Sequence, residues 1–177
     1  MAILPGFQSA PPDEAVILAL GGNLAGDYPS LEALLEAALS SFPRAGLRIV
    51  RRSGWWRSAA WPDPTAPAYL NAVAIVETAL PPAELVSAIL ALEVEFGRKR
   101  GAPNAPRTLD IDLVAYGRQV IDAPGLIVPH PRAATRLFVM GPLAEIAPDW
   151  RHPILGLTAE QLLAALAEKQ PIARLTC

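Results

Sequence analysis

Two hydrophobic periods alternate along the chain. Residues 16–20, Val-Ile-Leu-Ala-Leu, form an apolar run that reads as a buried strand, ending at Gly21-Gly22-Asn23. After Pro29 the apolar positions are Leu31, Leu34, Leu35, Ala38 and Phe42, which is helical spacing. Pro29 is tolerated in a first turn, and Pro43 and Gly46 close the helix. Residues 47–57 read as a second strand, residues 58–68 as a Pro-rich loop, and residues 69–78 as a third strand. Pro81 and Pro82 open a second helix with an apolar stripe of Leu85, Ile89, Leu92 and Phe96, and Gly97 ends it. Another strand spans residues 109–116, and Gly117-Arg118 turns the chain into a short strand at residues 119–121. Pro129-His130-Pro131 is a rigid loop, and Thr158-Ala159-Glu160-Gln161 opens a last helix with a capping box. Strand, helix, strand, strand, helix, strand is the ferredoxin-like order. The expected fold class is therefore α+β: a ferredoxin-like sandwich, with helices packed on a mostly antiparallel sheet.

Composition narrows this further. At 177 residues and 52% hydrophobic, the chain suits one folded domain over residues 15–177, after a flexible N-terminal tail at 1–14. A net charge of −2 argues against a nucleic-acid partner, which needs a basic field. The single Cys177 rules out an internal disulfide and a Cys-based zinc site. No signal-like start and no run long enough for a membrane span is present, so the expected location is cytoplasmic, with no membrane partner.

The chemistry concentrates in Pro106-Arg107-Thr108-Leu109-Asp110-Ile111-Asp112. Residues i and i+2 of a strand share a face, so the Asp110 and Asp112 carboxylates project side by side. Adjacent anions repel unless neutralised, and Mg²⁺ favours one or two carboxylates plus substrate phosphates. Arg107 offers a planar cation suited to phosphate oxygens. The plain alternative is a strand with one solvated face. Arg98-Lys99-Arg100 suits a compact polyanion such as a nucleotide, or is simply a solvated basic turn. Tyr69 and Asn71 alternate onto one strand face, either as a grip for a flat heterocycle or as an ordinary strand start. His130 reads as a metal ligand, a general acid, a phosphate contact, or a structural histidine held by its prolines. No Walker-type phosphate loop occurs, and Gly21-Gly22-Asn23-Leu24-Ala25-Gly26 lacks the second glycine of the dinucleotide fingerprint.

Taken in order, Leu20-Gly21-Gly22-Asn23-Leu24, Tyr69-Leu70-Asn71-Ala72, Glu93 with Gly97-Arg98-Lys99-Arg100, residues 106–112 and Val128-Pro129-His130-Pro131 resemble the 6-hydroxymethyl-7,8-dihydropterin pyrophosphokinase family. The resemblance runs over residues 15–150. It implies transfer of pyrophosphate from ATP to the hydroxymethyl group of the pterin, with release of AMP, in folate biosynthesis. It also implies Asp110 and Asp112 as ligands of two Mg²⁺ ions, and Arg98 and Arg107 as phosphate clamps among the catalytic residues. Further ATP contacts are implied at Glu93, Arg100, Leu113, His130 and Arg136. Ser58, Ala59, Trp61, Tyr69, Asn71 and Phe138 are implied around the pterin. The partners are then two small molecules, acting on a monomer or weak homodimer.

Departures from the family pattern are visible. The loop between Arg100 and Arg107 is short, and Asn104 stands where an aromatic is usual. Ser58-Ala59 replaces Thr-Pro, Trp61 replaces an aliphatic residue, and Gly22 replaces a common Ser with an expected effect on the turn alone. The rival readings are another Mg-dependent nucleotidyl- or phosphotransferase, a non-catalytic paralogue on the same fold, and an RNA-binding ferredoxin-like domain. The last lacks its aromatic and basic strand signature.

Overall fold

The computed structural model describes residues 14–60, 63, 65–99, 106–167 and 173–174. Expectations that fall on the N-terminal tail up to residue 13, on Trp61, on Arg100, on the loop containing Asn104 and on Cys177 lie outside the described residues. One main sheet dominates. Strand β1 (Val16–Gly22) runs between β4 (Tyr69–Glu77) and β5 (Asp110–Tyr116), antiparallel to both. On the far side of β4 lie β2 (Arg48–Arg52) and β3 (Trp56–Ser58), and β3 also pairs with β8 (Ala173–Arg174). Taking β2 and β3 together, the order across the sheet is that of the antiparallel ferredoxin-like motif.

Helices cover both faces. On one side α1 (Leu31–Ser41) and α2 (Pro82–Glu95) bury Leu34, Leu35, Leu85, Ile89 and Leu92 against Leu18, Leu20, Ile111 and Leu113. On the other, α3 (Leu137–Ile146) and α4 (Ala159–Ala167) pack Val139, Met140, Leu143 and Leu162 against Ile17, Ala19, Val73 and Val114. Successive β1 side chains therefore enter opposite cores. That is why β1 reads as an unbroken apolar run rather than an alternating one. The helix starts behave as their sequences require. Ser30 Oγ accepts from Ala33 N–H at 3.1 Å, and Thr158 and Gln161 exchange both bonds of a capping box at 2.9 and 3.1 Å.

Three elements differ from the sequence expectation. The strand expected over residues 47–57 is interrupted at residues 53–55, where the Ser53 hydroxyl accepts the Val73 N–H at 3.0 Å. Gly54 N–H donates instead to Glu145 at 3.0 Å. The strand expected over residues 119–121 begins only at Ile121. There β6 (Ile121–Ala123) and β7 (Leu126–Val128) form a hairpin outside the main sheet, turned by Gly125 at φ +77°. Helix α3 was not expected, because Gly141-Pro142 at its centre is a breaker pair. Both residues are buried, and Gly141 is required by contact: a Cβ there would lie 2.6 Å from the Trp56 ring.

Candidate active site

Gly21 pairs with Asn71 on one side and Asp110 on the other, and Asn71 pairs in turn with Trp56. Directly paired residues of a sheet share a face, so Trp56, Asn71, Gly21 and Asp110 form one row across four strands. Two strand spacings separate Asn71 from Asp110, roughly 10 Å. Between them Gly21 leaves a gap that no other residue would leave. A Cβ at Gly21 would lie 2.6 Å from Asn71 Oδ1 and 2.7 Å from the Leu70 carbonyl.

At the Asp110 end the site is a network of opposite charges. Asp110 Oδ1 receives Arg98 Nη1 at 2.7 Å, and its Oδ2 receives Arg107 Nη1 at 2.9 Å. Asp112 Oδ2 receives Arg136 Nη1 at 3.3 Å, and the Arg136 guanidinium lies 5.5 Å from the centre of the Phe138 ring. Glu93, on α2, pairs with Arg98 and accepts the Ile111 N–H at 2.7 Å. Three guanidiniums thus meet three carboxylates, and each arginine comes from a different segment of chain. Asp110 and Asp112 remain 30% and 34% exposed, open to a ligand.

The free edge of β5 explains how these groups arrive. An edge strand leaves backbone groups to be satisfied from outside the sheet. Glu93 takes the Ile111 N–H, and His130 N–H donates to the Val114 carbonyl at 2.9 Å. The two caps place their side chains beside the aspartates. Burial raises the Glu93 carboxyl above its usual range, against the lowering effects of the Ile111 N–H and Arg98. His130 is held the other way. Burial lowers its pKa despite Asp112, with Arg136 and Arg132 adding to the lowering. Its Nδ1 accepts the Arg132 N–H at 3.1 Å, which leaves the proton on Nε2, 3.8 Å from Asp112 Oδ2.

At the other end of the row, Asn71 Nδ2 donates to Ser58 Oγ at 3.0 Å across the β3–β4 pair, where Ser58 also faces Tyr69 in register. The residues expected around a pterin therefore converge as Ser58, Tyr69 and Asn71, while Ala59 is exposed. Two residues expected to contact ATP have buried side chains. The Leu113 side chain points into the core against α1 and α2, away from the aspartates, because alternation along β5 puts it with Ile111 on the opposite face. Glu93 is 1% exposed and meets the site only through Arg98 and the strand backbone. Gly22 also does more than shape a turn, since a Cβ there would lie 2.2 Å from the Thr108 carbonyl.

One residue of this region was legible only as a member of the motif at residues 20–24, with no role attached to it. Asn23 is 5% exposed, yet each end of its carboxamide is bonded to a different loop. Its partners, Pro67 and Arg107, are 44 and 84 residues distant in sequence, so no local spacing could have revealed this tether. Cavities of about 510 and 430 Å³ open at the opposite end of the sheet, beside Gly46 and Val50, away from all of these groups.

A family model described as 7,8-dihydro-6-hydroxymethylpterin-pyrophosphokinase matches residues 17–148. The chain belongs to this family. A 2-amino-4-hydroxy-6-hydroxymethyldihydropteridine pyrophosphokinase of Synechocystis is 42% identical over 148 residues, covering 83% of this chain and 73% of the relative. Its namesake in Pseudomonas aeruginosa is 40% identical over 156 residues, covering 86% and 91%. The crystal structure of Plasmodium falciparum HPPK-DHPS matches with a TM-score of 0.68 at 11% identity, covering 88% of this chain and 45% of that one. That likeness supports the fold, and this chain spans less than half of the Plasmodium polypeptide. The pyrophosphokinase match spans the whole row from Trp56 to Asp110, together with Arg98, Arg107, His130 and Arg136.

Proposed function

We propose that this chain transfers the pyrophosphoryl group of ATP to the hydroxymethyl oxygen of 6-hydroxymethyl-7,8-dihydropterin and releases AMP, with the row from Asn71 to Asp110 as the reaction site. The observation that carries this reading is the row itself. An amide suited to a heterocycle edge and a carboxylate suited to a metal-bound phosphate lie on one sheet face, with only Gly21 between them.

The donor set fits a hard divalent cation. Asp110 and Asp112 are two adjacent carboxylates, and no cluster of three metal-ligating side chains occurs among the described residues. That suits Mg²⁺, which takes one or two carboxylates and completes its shell with phosphate oxygens and water. When bound, two such ions would neutralise phosphate charge. The protein's own part is positioning. Arg98 and Arg107 reach the phosphates from the Asp110 side, and Arg136 and the His130 Nε2–H from the Asp112 side. Tyr69, Ser58 and Asn71 hold the pterin, with Phe138 completing its surroundings. The pterin hydroxyl oxygen forms a bond to the β-phosphorus as the bond from that phosphorus to the α-phosphate oxygen breaks, and the hydroxyl proton is released. No side chain forms a covalent bond, so rate comes from in-line placement and charge neutralisation.

The deciding experiment is incubation with ATP, Mg²⁺ and the pterin alcohol, followed by chromatography. AMP and the pterin diphosphate in equal amounts are expected. ADP with a pterin monophosphate would identify a different phosphotransferase. No helix of the described residues is long and apolar enough to cross a membrane.

A further inference from the structure

Resting on the function just proposed, we infer that Asn23 is a positioning residue that fixes the pterin half of the site relative to the phosphate half. Its Oδ1 accepts the Arg107 N–H at 2.9 Å, and its Nδ2 donates to the Pro67 carbonyl at 3.1 Å. Both partners are backbone groups, one able only to donate and the other only to accept, so the orientation of the amide is unambiguous. The Asn23 and Leu24 N–H groups also converge on the Arg107 carbonyl, at 3.0 and 3.3 Å. Arg107 is thus gripped at both its N–H and its carbonyl by the end of β1.

The two tethered segments carry different ligands. Pro67 lies two residues before Tyr69 and four before Asn71, at the end of the loop that leads into the pterin strand. Arg107 pairs with Asp110 and begins the segment that leads into the paired aspartates. Among the described residues no other hydrogen bond joins these two segments. A single buried carboxamide bridges them, and Gly22 keeps the bridge tight because a Cβ there would displace Thr108. In-line transfer depends on the relative placement of the attacking hydroxyl and the phosphorus, and a shift of about 1 Å can cost ~100-fold in rate. Asn23 touches neither reacting atom, and its effect passes through the two loops.

Two substitutions separate the arms. Asn23→Ala removes both. Asn23→Asp keeps an acceptor for Arg107 N–H but sets a carboxylate oxygen against the Pro67 carbonyl, which breaks the pterin arm alone. In Asn23→Asp the KM for pterin is expected to rise about tenfold with the affinity for a non-hydrolysable ATP analogue near wild type. In Asn23→Ala kcat is expected to fall by about 100-fold. Hydrogen exchange supplies a readout independent of turnover: the Arg107 amide should stay protected in Asn23→Asp and lose protection in Asn23→Ala. If Asn23→Ala does not fold, Asn23→Asp decides. Equal losses for nucleotide and pterin in Asn23→Asp, or unchanged kinetics, overturn the bridge. A wild-type protein that binds ATP but makes no pterin diphosphate would overturn the proposed reaction instead, and the exchange test of the bridge would stand.

Discussion

Replacing Glu93 separates two jobs that one buried carboxylate performs. Glu93 accepts the Ile111 N–H at 2.7 Å and pairs with Arg98, at 1% exposure. Glu93→Gln keeps an acceptor oxygen for Ile111 and removes the charge. A hydrogen bond to a charged group contributes about 1.5–3 kcal/mol, and the buried charge it serves costs a comparable desolvation penalty, so net stability should change by less than about 1 kcal/mol. Glu93→Leu leaves the Ile111 N–H without a partner and should cost about 2–4 kcal/mol. The pH dependence carries a sign. Burial raises the Glu93 carboxyl above 4.5, so between that value and the raised one the unfolded chain has lost a proton the folded chain keeps. Stability should therefore fall as pH rises through that window, and this component should be missing from Glu93→Gln. Urea unfolding followed by tryptophan fluorescence from pH 4 to 8, with the two variants compared against wild type, measures it. ATP kinetics add the second readout, since Arg98 without its anchor should lower kcat/KM about tenfold, or ~1.4 kcal/mol. Identical pH slopes in wild type and Glu93→Gln, or a Glu93→Leu as stable as Glu93→Gln, would refute the assignment.

Other substitutions probe the same row. Asp110→Asn and Asp112→Asn should each lower turnover by at least ~100-fold with the fold retained. In Asp110→Asn, Arg98 and Arg107 also lose their shared counter-ion, so inorganic pyrophosphate should bind more tightly than to wild type by isothermal titration. Gly21→Ala should abolish pterin binding while ATP-analogue binding persists, because the new Cβ collides with Asn71 Oδ1, and fluorescence titration with each ligand distinguishes the two. The His152 Nδ1 accepts the Ile154 and Leu155 N–H groups at 3.2 Å each, and burial lowers its pKa below 6.5. The folded state then holds fewer protons than the unfolded one just below pH 6.5, so stability should fall as pH drops through that range, and His152→Asn should reduce the slope in thermal melts.

The aspartate pair was legible because its pattern is local. Two aspartates at spacing two in a β-branched run must share a face, and they do. The arginines were legible as charges but not as partners of Asp110, since that requires the end of α2 and the start of β5 to meet. Asn23 was legible as part of the motif at residues 20–24, but not its tether, because the two loops it joins are far from it and from each other in sequence. The Leu113 side chain falls on the face opposite the aspartates by the same alternation that made Asp110 and Asp112 a pair. Helix α3 was hidden by Gly141-Pro142, a pair that local rules read as a break. There the contact of Gly141 with Trp56 overrides propensity.

The charge network also resolves a conflict built into the site. On the proposed function, a place for metal-bound phosphate needs both carboxylates and guanidiniums, and either set alone would repel itself. Here each set neutralises the other. Asp110 holds Arg98 and Arg107, Asp112 holds Arg136, and the fold keeps no net charge at the cluster formed by these groups and Glu93. Each guanidinium sits just beyond or just before a regular element rather than inside one: Arg98 after α2, Arg107 before β5, Arg136 at the start of α3. The carboxylates of Asp110 and Asp112 are fixed in a paired strand. Exchange on ligand binding is therefore asymmetric. On the proposed function the arginines would swing from carboxylate to phosphate while the aspartates stayed in place to receive a cation, with no movement of the strand that carries them.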